Sequence, residues 1–307
     1  MNYPEFYEPE RIGQIYLPRT EAIKKQAFAA KAQQKEAPKN RAAFLLIDYQ
    51  VDFTLPQGAL YVPGAEKDLE RAIEFILKNM NKITCFYPTL DTHQSFQIFY
   101  SQWWVDQEKK QPPAFTIITS EDIKQKKYQP IIEEEWSIHY VKELEKSAQK
   151  SLCLWPEHTM MGTPGHSLVP ALYEVLYYHS LVYTRQISFQ LKGLWPNSEM
   201  YGVFAPEIPL EFIPDHGQNI ELLEELSHFD RILVAGEAKS HCVLESVKQM
   251  AHYFSDRPDV LEKIILLEDT MSSVSHPQID FDAIANKEIS ELKRKGIKTA
   301  KSTELEL

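Results

Sequence analysis

The segment 236–243 combines a cysteine with a local structure that can activate one. It follows an apolar run and leads into a helical pattern, so Cys242 is expected at the first turn of a helix. The helix dipole and free backbone N–H groups there stabilise a thiolate, and the same N–H groups can hold an oxyanion. The alternative for any cysteine is a buried inert residue. That alternative fits Cys85, which lies inside a predicted strand, and fits Cys153 less closely.

Two further charged residues directly follow apolar runs. Asp48 ends the run that starts at residue 43, and Lys192 ends the run 187–191. A carboxylate in that position is either a cap for a turn or helix, or a partly desolvated base with a raised pKa. A lysine held there by apolar neighbours stays charged only beside an anion, such as Asp48 or a thiolate.

Three residues have the types and spacing of metal ligands. Asp91 and His93 are two residues apart after another apolar run, so both side chains can point to the same side of an extended turn. His158, in the segment Trp155-Pro156-Glu157-His158, could supply a third ligand. Taken separately, the first two also read as ordinary loop residues, and His158 as a hydrogen-bonded structural histidine.

Apolar runs alternate with helical patterns along most of the chain, and this alternation predicts the scaffold. Continuous apolar runs are typical of strands buried on both faces of a parallel sheet, whose ligands bind beyond the carboxyl ends of the strands. We expect an α/β domain with a doubly wound, mainly parallel six-stranded sheet and helices on both faces. The strands are predicted at 43–48, 83–87, 187–191, 232–235, 264–267 and 297–301, and the helices at 66–79, 168–178, 219–226, 244–254 and 279–295.

Two parts of the chain do not follow this alternation. Residues 1–40 are polar and are interpreted as an N-terminal extension in which 22–40 forms a solvated helix. Residues 41–307 are predicted as one domain that carries an insertion at about 94–151, with a helix at 133–150. Loops of that length are usually functional lids or binding surfaces. The insertion holds Trp103, Trp104 and Trp136, which are expected in the core of a lid or at an interface.

Composition excludes several classes of protein. The chain has 307 residues, three cysteines and 43% hydrophobic residues, which argues against a disulfide scaffold and against disorder. No apolar stretch reaches the roughly 18 residues of a membrane span. With 33 basic and 44 acidic residues the net charge is −11, which argues against binding to nucleic acid or to an anionic membrane. We therefore expect a cytoplasmic protein with a small-molecule ligand.

Taken in order, these segments resemble the isochorismatase-like cysteine hydrolase superfamily, and within it the nicotinamidases. The resemblance covers residues 43–304 apart from the insertion, and it rests on the ordered set of motifs. The motifs are Asp-x-Gln-x-Asp-Phe from Asp48, Asp-x-His from Asp91, Trp-Pro-x-His from Trp155, Lys-Gly from Lys192, Tyr-x-x-Phe from Tyr201 and a Gly-x-Ala nucleophile turn from Gly236. The second and third favour the metal-bearing amidases, because isochorismatases generally work without a metal.

The resemblance implies a cysteine amidase that hydrolyses nicotinamide or a related aromatic amide to the acid and ammonia through a thioester. It implies catalytic roles for Asp48, Lys192 and Cys242, and an oxyanion hole formed by the N–H groups of Ala238 and Cys242. It also implies a substrate pocket lined by Phe53, Trp155, Tyr201 and His241, and a divalent metal, zinc with iron or manganese as alternatives, on Asp91, His93 and His158. A cis peptide is expected at Glu237-Ala238, and the formation of a homo-oligomer stays open.

This chain departs from the family pattern at several positions. Gln97 and Phe99 stand where some nicotinamidases have a further histidine, Thr159 stands where a cysteine is common, and Glu237 replaces an apolar residue. The turn also carries Lys239-Ser240 instead of Thr-Asp.

Three alternative functions stay open beside the nicotinamidase-like amidase. They are a ureido or carbamoyl amidohydrolase, an isochorismatase, and a non-catalytic relative that binds a partner through the insertion.

Overall fold

The computed structural model describes residues 3–31, 41–147, 150–276 and 279–307. Its strands are β1 (Ala42–Ile47), β2 (Ile83–Asp91), β3 (Trp104–Asp106), β4 (Ile117–Ile118), β5 (Tyr128–Pro130), β6 (Leu152–Cys153), β7 (Gln190–Lys192), β8 (Arg231–Gly236), β9 (Ile264–Leu267) and β10 (Lys298–Ala300). Its α-helices are α1 (Thr20–Lys31), α2 (Val51–Thr54), α3 (Ala65–Lys78), α4 (Ser120–Lys124), α5 (Glu134–Ser147), α6 (Pro170–Tyr183), α7 (Ile220–Ser227), α8 (Leu244–Tyr253), α9 (Pro258–Leu261) and α10 (Phe281–Arg294). A π-helical turn, Lys239–Val243, leads directly into α8, and short 3-10 turns lie at Pro9–Arg11, Ser101–Trp103, Pro164–His166 and Pro214–Gly217.

Six strands form one parallel sheet in the order β10, β9, β8, β1, β2, β7. Every residue of β1 is buried, as expected for a continuous apolar run near the middle of a parallel sheet. The expected short edge strand near the end of the chain is present as β10. The predicted doubly wound α/β fold class is therefore confirmed.

Alternate residues of the strands contribute to two separate cores. Phe44 and Leu46 of β1 pack with residues of α1, α3 and α6 on one face of the sheet. Ala43 and Leu45 pack with residues of α7, α8 and α10 on the other face. Successive side chains of a strand point to opposite faces, so one apolar run supplies both layers.

The register between β2 and β7 brings two candidate site residues together. The predicted strand ends at residue 87, but β2 continues to Asp91. It is longer because its last residues pair with β7. Thr89 lies opposite Gln190, and Asp91 lies opposite Lys192. β7 begins at Gln190, later than predicted, because only this short stretch pairs with β2. Asp91 and Lys192 consequently leave the sheet side by side.

The insertion has a hydrophobic core of its own. It contains α4, α5 and most of two small antiparallel ribbons, β3 with β5 and β4 with β6. Trp103 and Trp104 are buried in its core, and the Trp136 indole N–H donates to the Asn197 carbonyl at 2.8 Å. The helix predicted at 133–150 is α5, and residues 148 and 149 lie outside the described residues.

The prediction of a solvated N-terminal helix is wrong for the part that the structure describes. Ile23 and Ala27 of α1 are fully buried in the core that includes α6, and residues 32–40 lie outside the described residues. The Arg19 guanidinium lies 2.7 Å from the buried Glu174 carboxylate of α6. Only two positions of α1, four residues apart, are buried, so the apolar stripe is too short to stand out in the sequence.

The packing of α1 predicts a clear difference between two substitutions in that helix. Ile23→Ala should lower the free energy of unfolding by about 2–5 kcal/mol, because it leaves a cavity in a fully buried site. Phe28→Ala, on the exposed side of the same helix, should change it by less than about 0.5 kcal/mol. Urea unfolding followed by circular dichroism measures both. Equal effects would show that α1 is not part of the folded unit.

Candidate functional site

The carboxyl ends of the strands gather three of the predicted site residues around the ammonium group of a fourth, Lys192. Lys192 Nζ lies 3.0 Å from Asp48 Oδ2 and 2.8 Å from Asp91 Oδ1. It also lies 3.7 Å from Cys242 Sγ and donates to the Met200 carbonyl at 3.1 Å. The Lys192 side chain is only 1% exposed. A lysine at the end of a buried strand thus has two carboxylates and a thiol as its neighbours.

The buried charges shift one another's protonation. Burial alone would lower the pKa of Lys192, but the Asp48 and Asp91 carboxylates raise it well above its usual range. Burial raises the pKa of Asp48, and Asp91 adds to the shift, while Lys192 opposes it. Burial also raises the pKa of the Cys242 thiol, against the Lys192 charge. Burial thus favours the neutral thiol of Cys242 over the thiolate. Burial likewise favours the protonated form of Asp48, whose carboxylate contacts the same ammonium group.

Two side chains that the sequence analysis did not single out hold the aspartates. The Thr89 hydroxyl accepts a hydrogen bond from the Asp48 N–H at 2.9 Å and donates one to Asp48 Oδ1. The Gln50 amide accepts from the Asp91 N–H at 2.7 Å and donates to the Asp91 carbonyl at 2.8 Å. Gln50 belongs to the Asp-x-Gln-x-Asp-Phe motif, which is the one sequence signal for it. Thr89 has no local signal, because its role depends on pairing between β1 and β2.

The nucleophile turn depends on a close approach between two strands. Gly236 has a φ of +139°, and a Cβ atom there would lie 2.0 Å from the Ile47 carbonyl oxygen. Only glycine fits this position. The peptide Glu237-Ala238 is cis, which confirms the expectation from the sequence. The Ala238 N–H donates to no other group in the described residues, so it is available to an oxyanion. Lys239 Nζ lies 2.9 Å from Asp282 and has no contact with the thiol among the described residues.

Asp91, His93 and His158 form a cluster that could hold a metal ion. One ligand atom from each lies within 4.8 Å of the others, and all three residues are buried. His93 Nε2 lies 2.9 Å from Asp91 Oδ2 but makes no hydrogen bond there. The second ring nitrogens, Nδ1, are near the carbonyl oxygens of Gly193 at 3.2 Å for His93 and of Pro156 at 2.8 Å for His158. These carbonyls favour the tautomer that leaves Nε2 free for a metal.

Gly193 makes the approach of these ligands possible. Its φ is +71°, and a Cβ atom there would lie 2.6 Å from Asp91 Oδ1 and 2.7 Å from His93 Cε1. The space beside the two ligands is therefore kept open by the absence of a side chain. Burial lowers the pKa of His93, which keeps the ring neutral and able to act as a ligand. The residues present fit a divalent cation.

Gln97 and Phe99, which stand where some nicotinamidases have a further histidine, both contact His93. Gln97 Nε2 donates to the Gly193 carbonyl at 3.3 Å and contacts His93 Nδ1 at the same distance. The Phe99 ring packs edge-on against the His93 ring, with centroids 4.9 Å apart. The two side chains therefore do not replace the missing histidine as a ligand. They instead support the orientation of the His93 ring.

The four predicted pocket residues surround one small cavity of about 30 Å³. Phe53, Trp155, Tyr201 and His241 line it, together with Asp91, His158, Ala238 and Cys242. The Trp155 indole N–H donates to the Tyr201 hydroxyl at 3.1 Å, and the Tyr201 and His241 rings are 5.3 Å apart. Burial lowers the pKa of His241 to about 4, so its ring is uncharged at neutral pH. The cavity wall is consequently aromatic and flat, with the thiol at its edge.

Glu199 also lines this cavity, and the sequence analysis missed it. The residue is buried, and one of its carboxyl oxygens accepts from the Met200 N–H at 2.9 Å. Burial raises the pKa of Glu199 to about 8, and the Asp91 charge adds to the shift. At neutral pH this carboxyl group is largely protonated and can donate a hydrogen bond to a ligand. No apolar run precedes Glu199, so the criterion that selected the other residues could not select it.

Glu237, which replaces an apolar residue of the family pattern, has a buried acidic partner. Its carboxylate accepts from the Ser272 N–H at 3.2 Å, and the Ser272 hydroxyl donates at 2.5 Å to Asp68. Ser272 therefore bridges the two carboxyl groups. Burial, and then the Asp68 charge, raise the pKa of Glu237 well above its usual range. This buried carboxyl group directly precedes Ala238 of the nucleophile turn.

Comparison with known proteins supports the fold by structure and not by sequence. No protein-family model matches the chain, and no curated protein matches it. The yeast nicotinamidase is 20% identical with a TM-score of 0.55, over 84% of this chain and 99% of its own. A nicotinamidase/pyrazinamidase from Acinetobacter baumannii is 19% identical with a TM-score of 0.55, over 88% and 100%. An L. infantum protein in complex with nicotinate is 19% identical with a TM-score of 0.52, over 88% and 96%.

The chain thus has the α/β fold expected from the resemblance. At these identities the likeness shows the fold that the chain shares with solved nicotinamidases. The activity of this chain is therefore inferred from the geometry of its own site.

The packing of Asp91 and His93 against Gly193 predicts that one methyl group added at Gly193 disrupts metal binding. Gly193→Ala should lower the metal content of the purified protein at least about tenfold, because its Cβ would collide with Asp91 and His93. Gly162→Ala is the matched control: it has a φ of +86° but no atom within 4 Å of the added Cβ. Elemental analysis measures the metal in each variant. Equal metal content in both variants would refute the assignment of the cluster.

The raised pKa of the buried Glu237 predicts a pH-dependent stability difference. Glu237 keeps its proton in the folded protein at pH values where the unfolded chain has released it, so stability falls as pH rises above about 4.5 towards the folded pKa. Glu237→Gln has no proton to lose. Its melting temperature should therefore rise relative to wild type as the pH increases from about 5 to about 9.

The control for this experiment is Glu268→Gln, which removes an exposed carboxylate elsewhere. Its melting temperature should keep a constant offset from wild type over the same pH range. A constant offset for Glu237→Gln as well would contradict the raised pKa of Glu237.

Proposed function

We propose that this protein is a metal-containing cysteine amidase that hydrolyses nicotinamide or a closely related aromatic carboxamide to the acid and ammonia. One observation carries the proposal: the Lys192 ammonium joins Asp48, Cys242 and the metal-ligand candidate Asp91 in a single buried cluster. A structural ion pair would not need a thiol beside it, and a metal site would not need a second carboxylate. The fold shared with solved nicotinamidases is consistent with this chemistry.

The first step is transfer of the Cys242 proton to Asp48. The raised pKa of Asp48 makes this carboxylate a competent base for a thiol inside the protein. Lys192 lies within 3.7 Å of both the sulfur and the carboxylate, so its positive charge stabilises the negative charge on either group. The net charge of the cluster does not change during the transfer.

The thiolate then attacks the carboxamide carbon. The negative charge that develops on the carbonyl oxygen is held by the backbone N–H groups of Ala238 and Cys242. Asp48 returns its proton to the departing nitrogen, which leaves as ammonia, and a thioester to Cys242 remains. Water, deprotonated by Asp48, hydrolyses the thioester, releases the carboxylic acid and regenerates the thiol.

The pocket walls select a planar aromatic amide. Phe53, Trp155, Tyr201 and His241 provide flat faces around a narrow cavity, and the protonated Glu199 can donate a hydrogen bond to a ring substituent. Asp91, His93 and His158 would hold the divalent metal, which when bound supplies a Lewis acid site for a ring nitrogen and so orients the substrate. Two histidines and one carboxylate suit zinc, with iron or manganese as alternatives.

We also propose that the protein works in a reducing compartment such as the cytoplasm. Its three cysteines are free, and the proposed chemistry requires Cys242 as a thiol. No helix in the described residues is both long and apolar enough to cross a membrane.

The proposed mechanism predicts the effect of removing one sulfur atom. Cys242→Ala should abolish ammonia release from nicotinamide to the limit of detection, a loss of at least about 10⁴-fold in kcat, because the covalent intermediate cannot form. Cys85→Ala removes a partly buried cysteine from β2 and should retain the rate within about twofold of wild type.

The measurement is ammonia release from a panel of amides that includes nicotinamide, pyrazinamide, benzamide and ureido compounds. Pyridine and pyrazine amides should be preferred over benzamide, which lacks a ring nitrogen. A wild-type protein as inactive as Cys242→Ala on the whole panel would reject the amidase proposal.

A further inference from the structure

A second cavity of about 520 Å³ lies beside the catalytic pocket. The two share four lining residues, Trp155, Glu199, Tyr201 and His241. The insertion supplies one wall of the larger cavity, through Ile117, Tyr140, Leu144 and Lys150. α8 and α10 supply the opposite wall. We call this second cavity the chamber.

The partition between the pocket and the chamber is one layer of side chains thick. Trp155, Tyr201 and His241 contribute to both cavities, and their rings contact one another. The Trp155 and His241 ring centroids are 5.6 Å apart. A substituent on a ring held in the catalytic pocket would therefore have only this layer of side chains to pass before it reached the chamber.

The charges that line the chamber balance one another. Lys150 Nζ lies 2.7 Å from Glu207 and 3.1 Å from Glu245, and Lys248 lies 3.0 Å from Glu245 and 4.0 Å from Glu288. Each lysine that lines the chamber is therefore already paired with carboxylates. An anionic group would have to displace these partners, which makes the chamber a poor site for a phosphate or a carboxylate.

The remaining surface of the chamber is mainly apolar. Its aliphatic and aromatic lining residues are Ile117, Tyr140, Leu144, Leu152, Leu244, Ile279, Phe281 and Ile284. A volume of about 520 Å³ lies within the range of about 300–1,000 Å³ that is typical of sites for drug-sized ligands. The catalytic pocket itself, at about 30 Å³, has no space for more than a small head group.

We propose that the chamber is a second substrate subsite, which accepts an uncharged, largely apolar extension carried by the aromatic ring of the carboxamide. The proposal rests on the proposed amidase function and makes the substrate larger than nicotinamide. The head group would occupy the catalytic pocket, and the extension would pass the shared aromatic residues and contact the insertion. The insertion would then determine which amides the protein accepts.

The test uses the full-length protein and a series of pyridine carboxamides that carry neutral alkyl chains of increasing length, with nicotinamide as the unextended member. A parallel series carries a terminal carboxylate. The filling variant is Ile117→Trp, in the chamber wall, where the native side chain is 37% exposed and a larger one can be accommodated. The matched control is Ile138→Trp, in the same insertion and 41% exposed, but outside the chamber lining.

In the wild type, kcat/KM should rise with alkyl chain length and should not rise in the carboxylate series. Ile117→Trp should lower the ratio of kcat/KM for long-chain amides to that for nicotinamide by at least about tenfold, because it removes space for several methylene groups. Ile138→Trp should leave this ratio unchanged. Ile284→Trp, in the opposite wall, should repeat the result of Ile117→Trp if one filling variant fails to fold.

A wild type that hydrolyses nicotinamide but rejects every extended amide would overturn the chamber proposal, as would filling variants with an unchanged ratio. A second measurement separates this outcome from failure of the amidase proposal. Calorimetric binding of the long-chain amide to Cys242→Ala should be tenfold or more tighter than binding of nicotinamide, and Ile117→Trp in that background should remove the difference. If the wild type hydrolyses no amide, the amidase proposal fails. The binding measurement alone then tests whether the chamber accepts an apolar extension.

Discussion

The buried Lys192 ammonium is the interaction on which the rest of the site depends. It is the positive charge between two buried carboxylates, Asp48 and Asp91, and it also contacts the cysteine sulfur. Removing one member of such a group leaves an uncompensated buried charge, which typically costs about 3–5 kcal/mol. The same lysine therefore holds together the proposed proton acceptor, the nucleophile and a metal ligand. The two functions proposed for the site, positioning a ring and attacking an amide, would share one electrostatic centre.

Much of this arrangement could be predicted from the sequence, and the reason is the parallel sheet. Asp48, Lys192 and Cys242 all follow apolar runs, and the carboxyl ends of parallel strands meet at one edge, so their convergence is a consequence of the fold. Thr89 and Glu199 lack such a signal. Thr89 acts only because β1 and β2 are paired, and Glu199 lies in a loop whose backbone is hydrogen-bonded to Tyr140 of the insertion. Glu237 could be seen as a departure from the family pattern, but its partner Asp68 lies far away in the chain and could not be inferred. The same limit applies to α1, whose burial depends on α6.

The insertion is a structural unit that changes the neighbourhood of the site without changing its catalytic groups. Trp103 and Trp104 are buried in a hydrophobic cluster formed mainly by residues of the insertion. It contributes no residue to the Lys192 cluster, yet it provides one wall of the chamber beside the catalytic pocket. In the proposed function, the reaction chemistry belongs to the sheet edge, and recognition of the apolar extension belongs to the insertion and the helices α8 and α10. A fold shared with nicotinamidases at about 20% identity can then accommodate a different amide.

The register between β2 and β7 also determines where the chain tolerates changes in length. β7 is an edge strand of only three residues, and a slip of one residue would turn Lys192 to the other face of the sheet. Asp48 and Asp91 would then be left as two buried carboxylates without a cation. A residue gained or lost within β7 is therefore expected to disrupt the Lys192 cluster, whereas the connection between β2 and α6 contains the whole insertion. Changes in chain length are thus accommodated before α6 but not inside the short strand that places the ammonium group.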